Sequence, residues 1–290
     1  MPDRRTRTVA VPEAYRLAVS AGPALWVGER SPRHAWIDDS LVWCGREGER
    51  AVWRRVRQPG PGLLEIHGPA DADHDETWVG NTLHPTNVVE RWDDPFMDAI
   101  AGRHPGLAPY GDGSLFEGIV TSIVGQSISV AAAAVTQFRL AMLFGAGVDV
   151  DGRVFAPLPS PGMLADASVE LIRSSGVTTK RAEGLKRIAT IAAAGGLPSD
   201  ARAREAPEQV ERELLDLPQV GPWTAKSALL WGVGASDAWP SGDVALLRAI
   251  RYATDDETLT LKTMDAVADR WRPNRGIAAR LLWTNLFSAD

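Results

Sequence analysis

The nine residues LPQVGPWTA, 217–225, read as a turn joined to the start of a helix, and the aspartate of PSGDVALLRAI follows eighteen residues later, at 243. Upstream, PEQVERELLDL (207–217) has the apolar spacing of a helix. In LPQVGP, Gly221 is expected to take a positive φ, and Pro222 suits a first helical position, where its missing N–H costs nothing. Two helices joined by a tight hairpin result. The amides around Val220, Gly221 and Trp223 then sit at a helix N-terminus, where partial positive charge favours an anion such as a DNA phosphate. A plain corner between two helices, without a ligand, fits the same residues.

Working outward, the 290 residues carry 44% hydrophobic and 23% charged side chains, ordinary values for a globular chain of two domains. The character changes near residue 90. Before it, YRLAVS (15–20), HAWID (34–38), LVWCG (41–45), AVWRRVR (51–57), LLEIHG (63–68) and TWVGN (77–81) are short β-type runs between turn signals. They predict an N-terminal antiparallel sheet domain over 1–90. From 91 to 290 the periodicity is helical, as in SLFEGIVTSIVGQ (114–126), TKRAEGLKRIATIAAAG (179–195) and RGIAARLLWTNLF (275–287). The AAAA run at 131–134 suits close helix packing. The predicted class is α+β, mostly helical.

The net charge of −6 speaks against a protein coated in positive potential. Local basic clusters nevertheless occur in TTKRAEGLKR (178–187), LLRAIR (246–251) and DRWRPNRGIAAR (269–280), which serve either as solvated helix faces or as phosphate contacts. Cys44 is the single cysteine, so an internal disulfide, a multi-cysteine zinc site and a four-thiolate iron–sulfur cluster are excluded. No apolar run approaches eighteen residues and no leader pattern opens the sequence, which predicts a cytoplasmic location without membrane association.

LPQVGPWTA followed by WPSGD (239–243) resembles the hairpin and loop of the helix-hairpin-helix (HhH-GPD) superfamily of DNA glycosylases. LFEGIVTSIVGQSISVAAAAV (115–135) and ADRWRPNRGIAARLLW (268–283) are similar to the helices flanking that hairpin in the 3-methyladenine DNA glycosylase branch, so the resemblance spans roughly residues 90 to 290. It implies a bilobal helical domain behind an N-terminal sheet, damaged double-stranded DNA as partner, and no cofactor or metal. The implied activity is monofunctional excision of alkylated purines (3-methyladenine, 7-methylguanine) in base excision repair, by a monomer. A glycosylase for uracil, hypoxanthine or an oxidised base, and a helix-hairpin-helix protein that binds DNA without chemistry, remain the alternatives.

The resemblance assigns the catalytic carboxylate to Asp243. Cleaving an N-glycosidic bond builds positive charge on the sugar, which a carboxylate stabilises while it orients the attacking water. Asp243 is equally suited to capping the helix DVALLRAIR. Trp223, Trp283 and Trp239 are assigned to the base pocket, where an aromatic face gains about 1–2 kcal/mol on a cationic base; core packing is the alternative for each. DNA contacts fall on Gln126, Ser127, Ile128, Gln219, Val220, Gly221 and Thr224. Three positions depart from the family pattern. Gln219 replaces the first hairpin glycine, which predicts an altered hairpin. Ser127 stands where some relatives carry a bulky wedge, leaving Ile128 or another loop residue as substitute. Ser227 replaces an aromatic, which opens the pocket. Trp223 also occupies the position of the lysine nucleophile of strand-cutting relatives, and the nearest amine, Lys226, lies three residues further on.

Overall fold

In a computed structural model of the chain, the described residues are 6–27, 31–69, 71–145 and 147–288. The N-terminal sheet contains β1 (Arg7–Ala10), β2 (His34–Ile37), β3 (Ser40–Glu47), β4 (Arg50–Gly60) and β5 (Leu63–His67), all antiparallel, in the order β1-β5-β4-β3-β2. Helices α1 (Leu17–Ser20) and α2 (Gly22–Val27) lie between β1 and β2, and α3 (Asp75–Trp78) follows β5. Leu41, Val52, Val56, Leu64 and Ile66 leave the strands on one face and are fully buried with Tyr15 and Leu17. β2 to β5 fall on runs that the sequence marked as short β-type segments between turn signals.

Two expected strands are helical instead. In YRLAVS, α1 buries Leu17 and Ser20, three residues apart, and Ser20 Oγ donates to Arg16 O while accepting from the Ala108 amide, a local arrangement that outweighs strand propensity. TWVGN follows Asp75 and Glu76, acidic residues in the first turn of α3 that favour its N-terminus. Strand β1 was not anticipated. Its four residues are too few for a period to show, and its pairing with β5 is a long-range fact.

The remainder comprises α4 (Pro95–Arg103), α5 (Leu115–Gly125), α6 (Val130–Met142), the two-stranded β6 (Val148–Val150) and β7 (Arg153–Phe155), α7 (Pro161–Asp166), α8 (Val169–Arg173) and α9 (Thr179–Ala193). Then follow α10 (Asp200–Glu205), α11 (Pro207–Leu214), α12 (Pro222–Val233), α13 (Val244–Thr254), α14 (Met264–Ala268) and α15 (Arg275–Phe287). Asp94, Ser114, Ser129, Ser160, Ser168, Thr178 and Asp243 each cap a helix by accepting a first-turn amide, which is why these starts were readable. The short α10 and the β6–β7 pair were not foreseen.

Helix α12 lies at the centre, antiparallel to α5. The two cross so closely that a Cβ on Gly118 would come within 2.6 Å of Gly232 Cα, and one on Gly232 within 2.7 Å of Ser114 O. The closest approach of these two helices therefore falls on Gly118, in the first half of α5, and Gly232, next to the end of α12, rather than on the alanine run, of which Ala133 and Ala134 are buried. The sheet is joined to this helical body by β6–β7, whose Val150 and Phe155 pack on Ala35, Val42 and Cys44. Beside that seam, buried Arg33 pairs with Asp112 at 2.9 Å and Glu117 at 3.8 Å. Burial raises the Glu117 carboxyl to about 7 against the pull of Arg33.

Candidate active site

The hairpin forms as expected between α11 and α12, but the backbone strain sits elsewhere. Gly221 is extended, at φ −102°, and serves as the N-cap of α12. Gln219 takes the left-handed conformation, at φ +65°. The departure from glycine at 219 therefore leaves the turn geometry in place, with a non-glycine residue carrying a conformation that costs it about 1–2 kcal/mol. Compensation comes from its neighbours. Gln126 Nε2 donates to Gln219 O at 2.8 Å and to Thr224 Oγ1 at 2.9 Å, and Arg181 donates to Gln126 O at 2.6 Å. The end of α5 is thus bolted to both sides of the hairpin.

This network sorts the residues expected at DNA. Gln126 acts as an internal brace, Thr224 is 3% exposed and accepts from it, and Val220 is buried with its amide donated to Leu217 O at 3.3 Å. None of these three side chains is free for a phosphate, because each is committed to the hairpin itself. Ser127 and Ile128 are exposed, with Ser127 at φ +58°, and Gln219 and Gly221 are partly exposed. The N-terminus of α12 has a cap residue without a side chain, a proline without an N–H, and no side-chain cap bond. Its free amides are available to an external acceptor.

Asp243 stands at the N-terminus of α13, partly exposed. Oδ1 accepts the Leu246 amide at 2.8 Å, so the capping role read from sequence is real. Oδ2 accepts Trp223 Nε1–H at 2.9 Å. The tertiary structure thus places the hairpin tryptophan and the loop aspartate in direct contact. Lys226 points elsewhere: its amine lies 3.6 Å from Glu211 Oε1 and 3.4 Å from Ser241 Oγ.

The other two pocket tryptophans are core residues here. Trp239 is 1% exposed, donates to Asp265 Oδ1 at 2.8 Å and meets Trp271 edge-on, so it has no face to offer a base. Trp283 is 4% exposed and stacks on Trp231, with centroids 5.3 Å apart. Trp231 is the partly exposed member of that stack and carries the Arg280 guanidinium 3.6 Å over its ring. Ser227, one turn along α12 from Trp223, is buried with its Oγ unpartnered. Sequence reasoning missed the Gln126 brace and the Gly118–Gly232 crossing. The glycines interrupting helical patterns were the available signal.

No protein-family model matches the chain. DNA-3-methyladenine glycosylase 2 of Escherichia coli (strain K12) is 32% identical over 187 residues, covering 64% of this chain and 63% of that enzyme. Over this stretch the chain is similar in sequence to proteins named DNA-3-methyladenine glycosylase. The match spans slightly under two thirds of that relative's length. In fold, the chain is similar to a 3-methyladenine DNA glycosylase from Archaeoglobus fulgidus, with a TM-score of 0.76, 19% identity and 98% of both chains covered. It is also similar to an 8-oxoguanine glycosylase/lyase of Clostridium acetobutylicum, with a TM-score of 0.73, 15% identity, and 98% and 97% covered. Helix-hairpin-helix glycosylases named for different bases therefore share this architecture, and reaction type has to be argued from site residues.

Proposed function

We propose that the protein is a monofunctional DNA glycosylase that hydrolyses the N-glycosidic bond of alkylated purines, of the 3-methyladenine and 7-methylguanine type, in duplex DNA. The reading takes it to act as a monomer in the cytoplasm, without cofactor. The observation that carries it is the Asp243 carboxylate, fixed by two hydrogen bonds next to a partly exposed tryptophan at the hairpin. A base must leave the stack to reach this group, which costs a few kcal/mol and less for damaged or mispaired bases. The free amides of α12 and exposed Ser127 and Ile128 supply the surface against which the backbone and the opened stack would lie.

Asp243 faces the developing positive charge on the sugar and orients the attacking water. An alkylated purine is already cationic and leaves without the partner acid that an alcohol requires. The face of Trp223 suits a cationic base. The test is incubation with duplexes carrying a panel of lesions, followed by hot alkali. Release of methylated purines, abolished by about 10²–10³ or more in Asp243→Asn, is expected. Preference for uracil or an oxidised base would move the assignment to another specificity. Binding without release of any base would leave a non-catalytic DNA-binding protein. Asparagine keeps the α13 cap, so loss of activity would not report unfolding.

A further inference from the structure

The carboxylate of Asp243 receives one donor on each oxygen, and the two donors come from different elements. Leu246 N–H belongs to the helix that Asp243 caps, whereas Trp223 Nε1–H reaches across from α12, twenty residues earlier in the chain. A cap bond alone leaves the carboxylate plane free to swing about its side-chain torsion; a second donor at the other oxygen fixes that plane. An indole nitrogen can only donate, so its orientation has to be matched by an acceptor.

Such matching is not automatic in this protein. The indole nitrogens of Trp78, Trp92 and Trp271 are buried without a hydrogen-bond partner. At Trp223 the partner is the one carboxylate to which the proposed chemistry falls. The donor's neutrality matters as well. A lysine or arginine in its place would cancel much of the negative charge that the cationic sugar is meant to meet, and Lys226 is instead directed at Glu211 and Ser241. An indole N–H orients the carboxylate and leaves its charge intact.

We propose that Trp223 is a positioning residue, whose indole N–H sets the plane of the Asp243 carboxylate toward the sugar, separately from any contact its ring face makes with a base. This rests on the glycosylase reading above. The test uses the full chain and single-turnover release of 7-methylguanine from dimethyl-sulfate-treated duplex DNA. Trp223→Phe keeps an aromatic face and removes the donor. It is expected to lower the rate at saturating enzyme by about 10- to 100-fold, the scale of a small misplacement of a reacting group, with half-saturation changed less than about twofold. In the Asp243→Asn background the same substitution should cost no further rate, because its effect runs through the carboxylate. A weaker half-saturation with an unchanged rate, or full additivity in the double variant, would overturn the proposal and leave only the ring face. A second measurement needs no change at Trp223: its indole N–H resonance in a ¹⁵N-labelled protein should move in Asp243→Asn while that of Trp239 stays. An unmoved Trp223 signal would refute the hydrogen bond. Full excision by Asp243→Asn would overturn the proposal by removing the carboxylate through which Trp223 acts, whereas failure of the parent protein to release any base would defeat the glycosylase reading, independently of that resonance.

Discussion

Gly184 of α9 lies where a Cβ would come 2.6 Å from Cγ and 3.3 Å from Cβ of Gln219, the hairpin residue held at φ +65°. The two departures from ordinary side-chain choice are therefore one feature. A glutamine fits the left-handed turn position because the facing helix has given up its own side chain there. Gly184→Ala is expected to destabilise the protein by about 1–3 kcal/mol, although alanine is otherwise the better helix former. Gln219→Gly should relieve most of that loss, giving a favourable coupling in a double-mutant cycle followed by denaturant unfolding. Additive effects would show that the two positions do not meet.

Gly221 offers a cleaner probe of DNA anchoring, since a Cβ there would meet nothing within 4 Å and its backbone is extended. Gly221→Leu should fold normally and place bulk over the free amides of α12. Its affinity should fall on damaged and undamaged duplexes alike, and its salt dependence should become shallower as a phosphate contact is lost. Fluorescence anisotropy at several salt concentrations reads both. A loss confined to lesion-containing DNA would contradict the anchoring role.

The proposed reaction leaves the strand uncut. A lyase step needs a deprotonated amine facing the anomeric carbon, and Trp223 occupies the lysine position of strand-cutting relatives while Lys226 is held by Glu211 at 3.6 Å. Lys226 is displaced from Trp223 by about 4.5 Å in rise and about 60° around the helix. Borohydride reduction with damaged DNA is expected to trap no covalent complex, and abasic product should stay intact until alkali is added. A trapped adduct that disappears in Lys226→Ala would relocate the nucleophile.

Acid should weaken the fold partly through His84, which is 4% exposed and has no partner for Nε2. Burial lowers it from 6.5 to about 4. The folded state therefore keeps this ring neutral while the unfolded chain protonates it below about 6.5, so its contribution is complete above that pH and is lost as pH falls toward 4. The raised carboxyl of Glu117 acts in the opposite sense, favouring the folded state as pH falls from about 7 toward 4.5. Comparison with His84→Gln cancels that background. The stability advantage of the parent over the variant should shrink from pH 7 to pH 4.5 by at most about 3 kcal/mol, read by chemical denaturation at each pH.

Much of this protein was determined by local sequence. The serine, threonine and aspartate caps start helices by accepting amides two or three residues ahead, and the alternation of β4 and β5 turns one face inward, so both are visible within a dozen residues. The hairpin and the capping role of Asp243 were legible for the same reason, whereas the chemistry assigned to Asp243 came from the family resemblance. What the sequence left open depends on which distant groups meet. The four residues of β1 become a strand because β5 is there to pair with them, and YRLAVS becomes a helix because Ser20 finds both Arg16 O and the Ala108 amide. Trp239 and Trp223 have the same chemistry, yet one indole is directed into the core at Asp265 and the other at Asp243. Even the strained position of the turn moved from Gly221 to Gln219, because a backbone conformation is chosen by the total energy of the packed neighbourhood, here Gly184, Gln126 and Arg181, and not by the residue alone.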